Sequence, residues 1–182
     1  VSDEDRVRWD RRHGQGDPPS DDDIALPEVF RPMAGLFPHS GAALDLACGP
    51  GTLSVWLARR GLSVHGVDVS GVAVAAARDL AIRHAVADRC RFDVVDLDDG
   101  LPPGDPVDVL CCIRFRDPAL YPQMVERLAP GGMLAISVLS EVGGTPGAFR
   151  ARAHELTEAF GTLEVLAADE GGGQAWLLAR RG

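Results

Sequence analysis

No lysine occurs in the 182 residues: apart from histidine, the 18 basic side chains are all arginine. GC-rich coding accounts for that bias without any functional cause. Its chemical consequence holds regardless, because Schiff-base formation and lysine general-base catalysis are excluded. No stretch approaches the roughly 18 consecutive apolar residues that a membrane-spanning helix needs. No C-x-x-C pair occurs among Cys48, Cys90, Cys111 and Cys112. They read as small reduced core residues rather than zinc ligands or a disulfide framework. An excess of positive charge is also lacking. With 27 acidic residues against 18 basic, the net charge of −9 argues against nucleic acid or an anionic membrane as partner. The opening Ser2-Asp3-Glu4-Asp5 is the reverse of a signal peptide's positive start, so the expected location is the cytoplasm.

What is present fits one globular domain. A chain that is 46% hydrophobic and 25% charged is not expected to be disordered, and its length suits a single core. Residues 1–182 read as one domain, with 1–40 a covering segment and 41–182 an α/β core. Within the first part, Val1–His13 is a short helix candidate anchored by Val7 and Trp9. Gly14–Asp23 is a Gly/Pro/Asp connector, and Leu26–Phe37 has near-helical apolar spacing limited by Pro32.

From Ala42 strands and helices alternate. Strands are expected at Ala43–Leu46, Val64–Val67, Arg91–Val95, Val107–Cys112 and Leu134–Leu139, with helices at Thr52–Arg60, Val72–Arg83 and Leu120–Leu128. Alternation of this kind predicts a doubly wound, mostly parallel sheet covered on both faces. Beyond a Gly143–Gly147 loop, a helix is expected over Phe149–Phe160. Thr162–Ala168 and Gln174–Ala179 then form a hairpin, so the sheet should finish with an antiparallel strand.

The strongest chemical signal is Asp45-Leu46-Ala47-Cys48-Gly49-Pro50-Gly51-Thr52: an apolar strand ends in a glycine turn that opens a helix, the edge where such sheets bind ligands. Gly49 and Gly51 let the backbone approach a ligand that a side chain would block. A dinucleotide fingerprint needs a third glycine where Ser54 stands, and a P-loop needs the missing lysine. Asp45 has no role in either motif, but it suits a cationic ligand carrying an ammonium group. S-adenosylmethionine has that group and no pyrophosphate. Asp68 closes the next strand, where a carboxylate can accept from both ribose hydroxyls. Asp96 closes the third and can accept from an adenine amine, with Val69 and Leu97 flanking the ring. Three carboxylates ending three successive strands point to one ligand with amine, diol and aminopurine ends.

Asp45–Gly51, Asp68, Asp96-Leu97 and Leu128-Ala129-Pro130-Gly131-Gly132 resemble the successive motifs of class I S-adenosylmethionine-dependent methyltransferases, over about Ala42–Arg181. The resemblance implies a Rossmann-like seven-stranded sheet and places Pro130-Gly131-Gly132 as a structural turn before the fifth strand. It also implies a cofactor set of Trp9, Arg12, Asp45, Ala47, Cys48, Gly49, Pro50, Gly51, Asp68, Val69, Asp96, Leu97 and Ile113. Trp9-Asp10-Arg11-Arg12-His13, followed by Gly16 and Pro18, is similar to the Trp-Asp-x-Arg-Tyr opening of the tellurite-resistance and thiopurine types, as are Arg114-Phe115-Arg116, Leu120-Tyr121-Pro122 and Glu155-Leu156. That likeness implies an N-terminal segment that covers the cofactor. Read from its residues alone, Trp9 serves equally as a staple for its own helix, and Arg12 as a partner of Asp21–Asp23.

The methyl acceptor is less legible. The fourth strand ends in Ile113-Arg114 and not in an Asn/Asp-Pro-Pro-Tyr/Phe sequence, which disfavours nucleobase amines and glutamine amides. No aspartate/asparagine set for a catechol-binding magnesium is evident, so no metal is expected. In-line methyl transfer needs no protein nucleophile. For a thiolate, selenol or tellurium oxyanion, Arg114 or Arg116 could hold an anionic acceptor beside the methyl. A sugar or phenol hydroxyl would need a base, for which His13 and His154 are the candidates, although both read equally as surface residues. A catalytically silent cofactor-binding protein shares every cofactor residue and stays open. A small-molecule acceptor is expected. The oligomeric state is unspecified.

Overall fold

The computed structural model describes residues 3–15 and 19–182. Gly16 and Pro18 of the opening motif, and the middle of the expected connector, lie outside the described residues. Among the described residues seven strands form one sheet, in the order Cys90–Val94, Ser63–Asp68, Ala42–Leu46, Val107–Ile113, Leu128–Leu139, Gln174–Arg180 and Glu164–Gly171. The chain divides into two compact units, Val1–Pro103 and Gly104–Gly182.

The first unit opens with α1 (Asp3–Gln15). The expected helix at Leu26–Phe37 is a 3-10 helix over Glu28–Leu36. Pro32 has no N–H to give to an α-helical ladder and crowds the preceding turn, while Phe30 is wholly buried and anchors the segment. β1 (Ala42–Leu46), β2 (Ser63–Asp68) and β3 (Cys90–Val94) pair in parallel, with α2 (Thr52–Arg59) and α3 (Gly71–Arg83) as crossovers. Their apolar residues, among them Leu44, Leu46, Val55, Leu57, Val67, Ala77 and Leu80, are buried as a covered parallel sheet requires. Gly66 makes room for a ring: a Cβ there would lie 2.6 Å from Phe92.

The second unit holds β4 (Val107–Ile113), α4 (Tyr121–Arg127), β5 (Leu128–Leu139), α5 (Glu155–Ala159), β6 (Glu164–Gly171) and β7 (Gln174–Arg180). β5 runs parallel to β4 and antiparallel to β7, and β6 pairs antiparallel with β7. The antiparallel finish is therefore present. Two expectations are corrected here. Pro130-Gly131-Gly132 does not precede the fifth strand but lies inside it. The β4–β5 register jumps from Val107↔Leu128 to Val109↔Met133, so these residues bulge out, with Gly131 at φ +78. The helix expected over Phe149–Phe160 is confined to Glu155–Ala159. Upstream, Ala151 N donates to Leu139 O at 2.8 Å, and Ala151 bridges Ser140, so the backbone there is spent on the sheet edge.

Candidate functional site

β1 delivers Asp45 and then the turn. Ala47, Gly49 and Gly51 all have positive φ (+51, +54 and +79), and the turn is closed by Gly51 N donating to Cys48 O at 3.1 Å. Gly51 cannot carry a side chain, since its Cβ would sit 2.7 Å from the Ala77 Cβ on α3. The turn thus places backbone without side chains at the C-terminal end of β1, with Pro50 half-buried and Gly49 and Gly51 buried. Cys48 N is fixed to Val67 O at 2.9 Å, and its thiol is kept protonated, chiefly by burial and then by Asp45 and Asp68.

Asp68, at the end of β2, joins the turn to α3. Its Oδ2 accepts from Gly49 N and its Oδ1 from Ser70 N, both at 2.9 Å. Ser70 Oγ in turn donates to Asp10 Oδ1 on α1 at 2.6 Å and accepts from Ala73 N as the cap of α3. A continuous path of hydrogen bonds therefore runs from the glycine turn through Asp68 and Ser70 to α1. α1 brings His13 to the same place: a Cβ on Gly49 would lie 3.6 Å from His13 Cε1. Trp9 stacks on His13 with ring centroids 6.0 Å apart, and the Arg12 guanidinium lies over the Trp9 ring at 5.3 Å. Composition alone gave no signal for the Asp10–Ser70 contact, because it joins residues 60 positions apart.

Asp45 is almost wholly buried, at 2% exposure. Among the described residues it has one hydrogen-bond donor, Ser54 Oγ at 2.6 Å. Desolvation raises its carboxyl to about 7, with the Asp68 charge adding to the rise and the Ser54 bond opposing it. The serine that breaks the dinucleotide pattern is thus the partner of the acid that pattern does not use. A carboxylate in this state, beside a backbone stripped of side chains, fits a cationic group. Asp96 is half-buried and caps the 3-10 turn Leu97–Asp99 by accepting from Asp98 N at 3.0 Å, which holds its carboxyl below the usual range. Leu97 is buried, and Val69 is half-buried. Asp45, Ala47–Gly51, Asp68, Val69, Asp96 and Leu97 all lie at the C-terminal ends of β1, β2 and β3. Ile113 ends β4 in the second unit.

The other residues of interest in the second unit are placed as follows. Arg114 directly follows β4 in a left-handed conformation (φ +60), its N–H bonded to Ser137 O at 2.8 Å and its side chain exposed. Arg116 faces Glu155 in a bidentate pair, Nε to Oε1 at 2.8 Å and Nη2 to Oε2 at 2.7 Å. Tyr121 Oη donates to the same carboxylate at 3.1 Å, and Arg152 N does so at 3.2 Å. Arg116 holds the Glu155 carboxyl below its ordinary range, and burial with the Glu155 charge pushes the Tyr121 phenol up. His154 precedes α5, is 73% exposed, and pairs with Glu170 at 3.0 Å. Glu155 as the centre of this knot was not singled out from sequence as a functional group. Among the described residues no group of three or more His, Cys, Asp or Glu is placed to hold a metal ion, and no helix is long and apolar enough to cross a membrane.

Residues 43–132 match the family model described as a methyltransferase domain. The ubiquinone biosynthesis O-methyltransferase of Alkalilimnicola ehrlichii is 32% identical over 73% of this chain and 55% of its own length. Other curated relatives extend further beyond the match, the chain spanning 34%, 15% and 36% of three of them. Among solved structures, TehB from Haemophilus influenzae superposes with a TM-score of 0.76 at 21% identity, over 87% of this chain and 63% of that one. The DhpI–SAH complex does so with a TM-score of 0.65 at 21% identity, over 97% and 94%.

Proposed function

We propose that this chain, which has the class I S-adenosylmethionine-dependent methyltransferase fold, transfers a methyl group from S-adenosylmethionine to a small-molecule acceptor. The observation that carries the reading is Asp45: a buried carboxylate with one serine partner, next to a glycine turn closed by Asp68. The family match over residues 43–132 and the likeness to a structure holding SAH support it. The reading takes residues 1–182 as one catalytic domain. It also takes the location as cytoplasmic, supported by four cysteines that are all free thiols.

When bound, the cofactor supplies a methyl on a sulfonium, whose C–S bond breaks as the acceptor's lone pair bonds to carbon. The rest falls to the protein. Asp45 offers negative charge to the ammonium group, and the side-chain-free backbone of the glycine turn lets the methionine portion approach. Each Asp68 oxygen already accepts one backbone N–H and keeps a lone pair for a ribose hydroxyl. Asp96, Val69 and Leu97 take the adenine end. α1, fastened through Asp10, covers the turn with His13 and Trp9 and excludes water. In the second unit, Arg114 is the cation assigned to an anionic acceptor, since Arg116 is committed to Glu155. His154 is likewise occupied, by Glu170.

His13 favours a second reading. An imidazole beside the glycine turn could take the proton of a hydroxyl acceptor. Labelled methyl transfer to a panel of thiols, oxyanions and phenols tests both. Turnover of thiolates that survives His13→Ala supports the first, and turnover of phenols lost in that variant supports the second. SAH binding without turnover of any acceptor would leave a silent binder and overturn both.

A further inference from the structure

Where α2 ends, an open cleft of about 360 Å3 is lined by His39, Trp56, Arg59 and Arg60. All four belong to the first unit. α2 begins at the glycine turn and rises roughly 12 Å over its 8 residues, so the whole helix separates the cleft from the turn. Each lining side chain is a guanidinium, an imidazole or an indole, and none is a carboxylate, in a chain of net charge −9. The walls are fixed. Arg60 Nε and Nη2 donate to Phe37 O at 3.1 and 2.9 Å, and the same guanidinium lies over the Trp56 ring at 5.3 Å. Buried Phe37 meets that ring edge-on, with centroids 5.6 Å apart. A Cβ on Gly61 would collide with the His39 carbonyl, so the segments before β1 and β2 pack directly on one another.

Arginines at a helix C-terminus ordinarily answer its free carbonyls. Here the backbone has closed those carbonyls already. Gly61 N donates to Ala58 O at 3.0 Å and Leu62 N to Leu57 O at 3.3 Å, a Schellman-type ending that Gly61 permits with φ +112. Arg59 is therefore not needed as a cap. It is exposed, and among the described residues it has no hydrogen-bond or ion-pair partner. Arg60 Nη1, the His39 ring and the Trp56 indole N–H are likewise without partners among the described residues. His39 comes from a different segment, before β1, so the helix end does not account for its presence. Two separate pieces of chain thus turn unspent donors toward one cleft.

We propose that this cleft is a second ligand site, which takes a small organic phosphate monoester with a planar body. Guanidinium forks match phosphate oxygens in charge and geometry. A phosphate has three acceptor oxygens to share among Arg59, the free arm of Arg60 and His39, whereas a carboxylate has two. The volume exceeds that of a bare phosphate ion and falls in the range of small-molecule sites. The fixed indole of Trp56 supplies the surface for the organic body. The inference is independent of the methyltransferase reading, and it places this ligand at the opposite end of α2 from the glycine turn.

Calorimetry on the full chain at low ionic strength, with and without SAH, tests this with three probes: phenyl phosphate, inorganic phosphate and benzoate. Phenyl phosphate should bind once per chain, roughly tenfold tighter than either of the others. Arg59→Ala should weaken it by about tenfold, and His39→Ala by a smaller factor. Both residues are exposed, so neither change threatens the fold. Loading with SAH, or Arg114→Ala in the second unit, should leave the affinity within about twofold of its original value. Failure of phenyl phosphate to bind, or affinity untouched by Arg59→Ala, would overturn the proposal. Inorganic phosphate binding as tightly as phenyl phosphate would reduce the cleft to a generic anion patch, and benzoate doing so would rule out selection for phosphate. Loss of binding in Arg114→Ala or on SAH loading would move the ligand out of this cleft and overturn it too.

Discussion

Asp10 and Ser70 stand 60 residues apart and share a 2.6 Å hydrogen bond, Oγ to Oδ1, that fastens the first helix to the cap of α3. Ser70 also donates its N–H to Asp68, and Asp68 accepts from Gly49, so the cover and the glycine turn are held by one path. Asp10→Ala should free α1 without unfolding the sheet. SAH affinity is expected to fall several-fold, and trypsin should cut at Arg11 or Arg12 faster than in the wild type. Unchanged cleavage and affinity would show that the helix is held by packing alone.

Asp45 makes stability and binding respond to pH with opposite signs. The unfolded aspartate ionises near 3.8, whereas the buried one keeps its proton to about 7. Between those values the folded chain holds a proton that the unfolded chain has lost, so stability falls as pH rises through this window and is level above it. Asp45→Asn removes that penalty and should raise Tm at pH 8 by roughly 5 °C, with little change near pH 4. Cation binding needs the ionised form. S-adenosylmethionine affinity should therefore rise by roughly tenfold from pH 6 to pH 8 in the wild type, and lose that dependence in the variant. Calorimetry at the two pH values reads both.

Asp68 is expected to bind and to build at once. Asp68→Ala leaves the Gly49 and Ser70 N–H groups without their acceptor and removes the proposed ribose partner, so SAH affinity should fall by roughly 10- to 100-fold. Asp68→Asn keeps the shape but must turn an NH2 group toward one of two N–H donors, and should recover little of the loss. Retained affinity in the asparagine variant would place the ribose elsewhere.

The Glu155 knot gives a further, acid-side dependence. Arg116 holds that carboxyl below its ordinary value of 4.5, so its contribution is full above pH 4.5 and is lost as pH falls through the folded value. Glu155→Gln should therefore melt several degrees below the wild type at pH 7, and the gap should close toward pH 3. A gap independent of pH would mean that packing of Leu156 and Phe160, not charge, fastens α5.

Local chemistry decided which parts were legible beforehand. β1, β2, β4 and β7 lie within about a residue of their expected positions, because buried strands, whether parallel as the first three or antiparallel as β7, are short apolar runs bounded by turn residues. Asp68 was also readable as the last residue of its strand, whereas Asp45 lies within β1 and Asp96 two residues beyond β3. What was not readable depended on distant partners. α5 shrank because Arg150 and Ala151 spend their bonds on Ser140, Gly173 and Leu139. Arg116 and Arg114 look alike in sequence, and only the position of Glu155 separates the bound guanidinium from the exposed one. β5 ran on through Pro130-Gly131-Gly132 because a bulge absorbs residues that a turn motif seemed to remove.

β7 is synthesised after β6 yet lies between β6 and β5. Emerging from the ribosome, β6 has no strand to pair with, and β5 presents a bare row of N–H and C=O groups on the side that β7 will occupy. Both wait for Gln174–Arg180, whose seven residues complete two ladders at once. Assembly of this half of the sheet is thus set by the order of translation. A chain that stops between the two strands leaves the β5 edge and both edges of β6 unpaired, open to pairing with another chain.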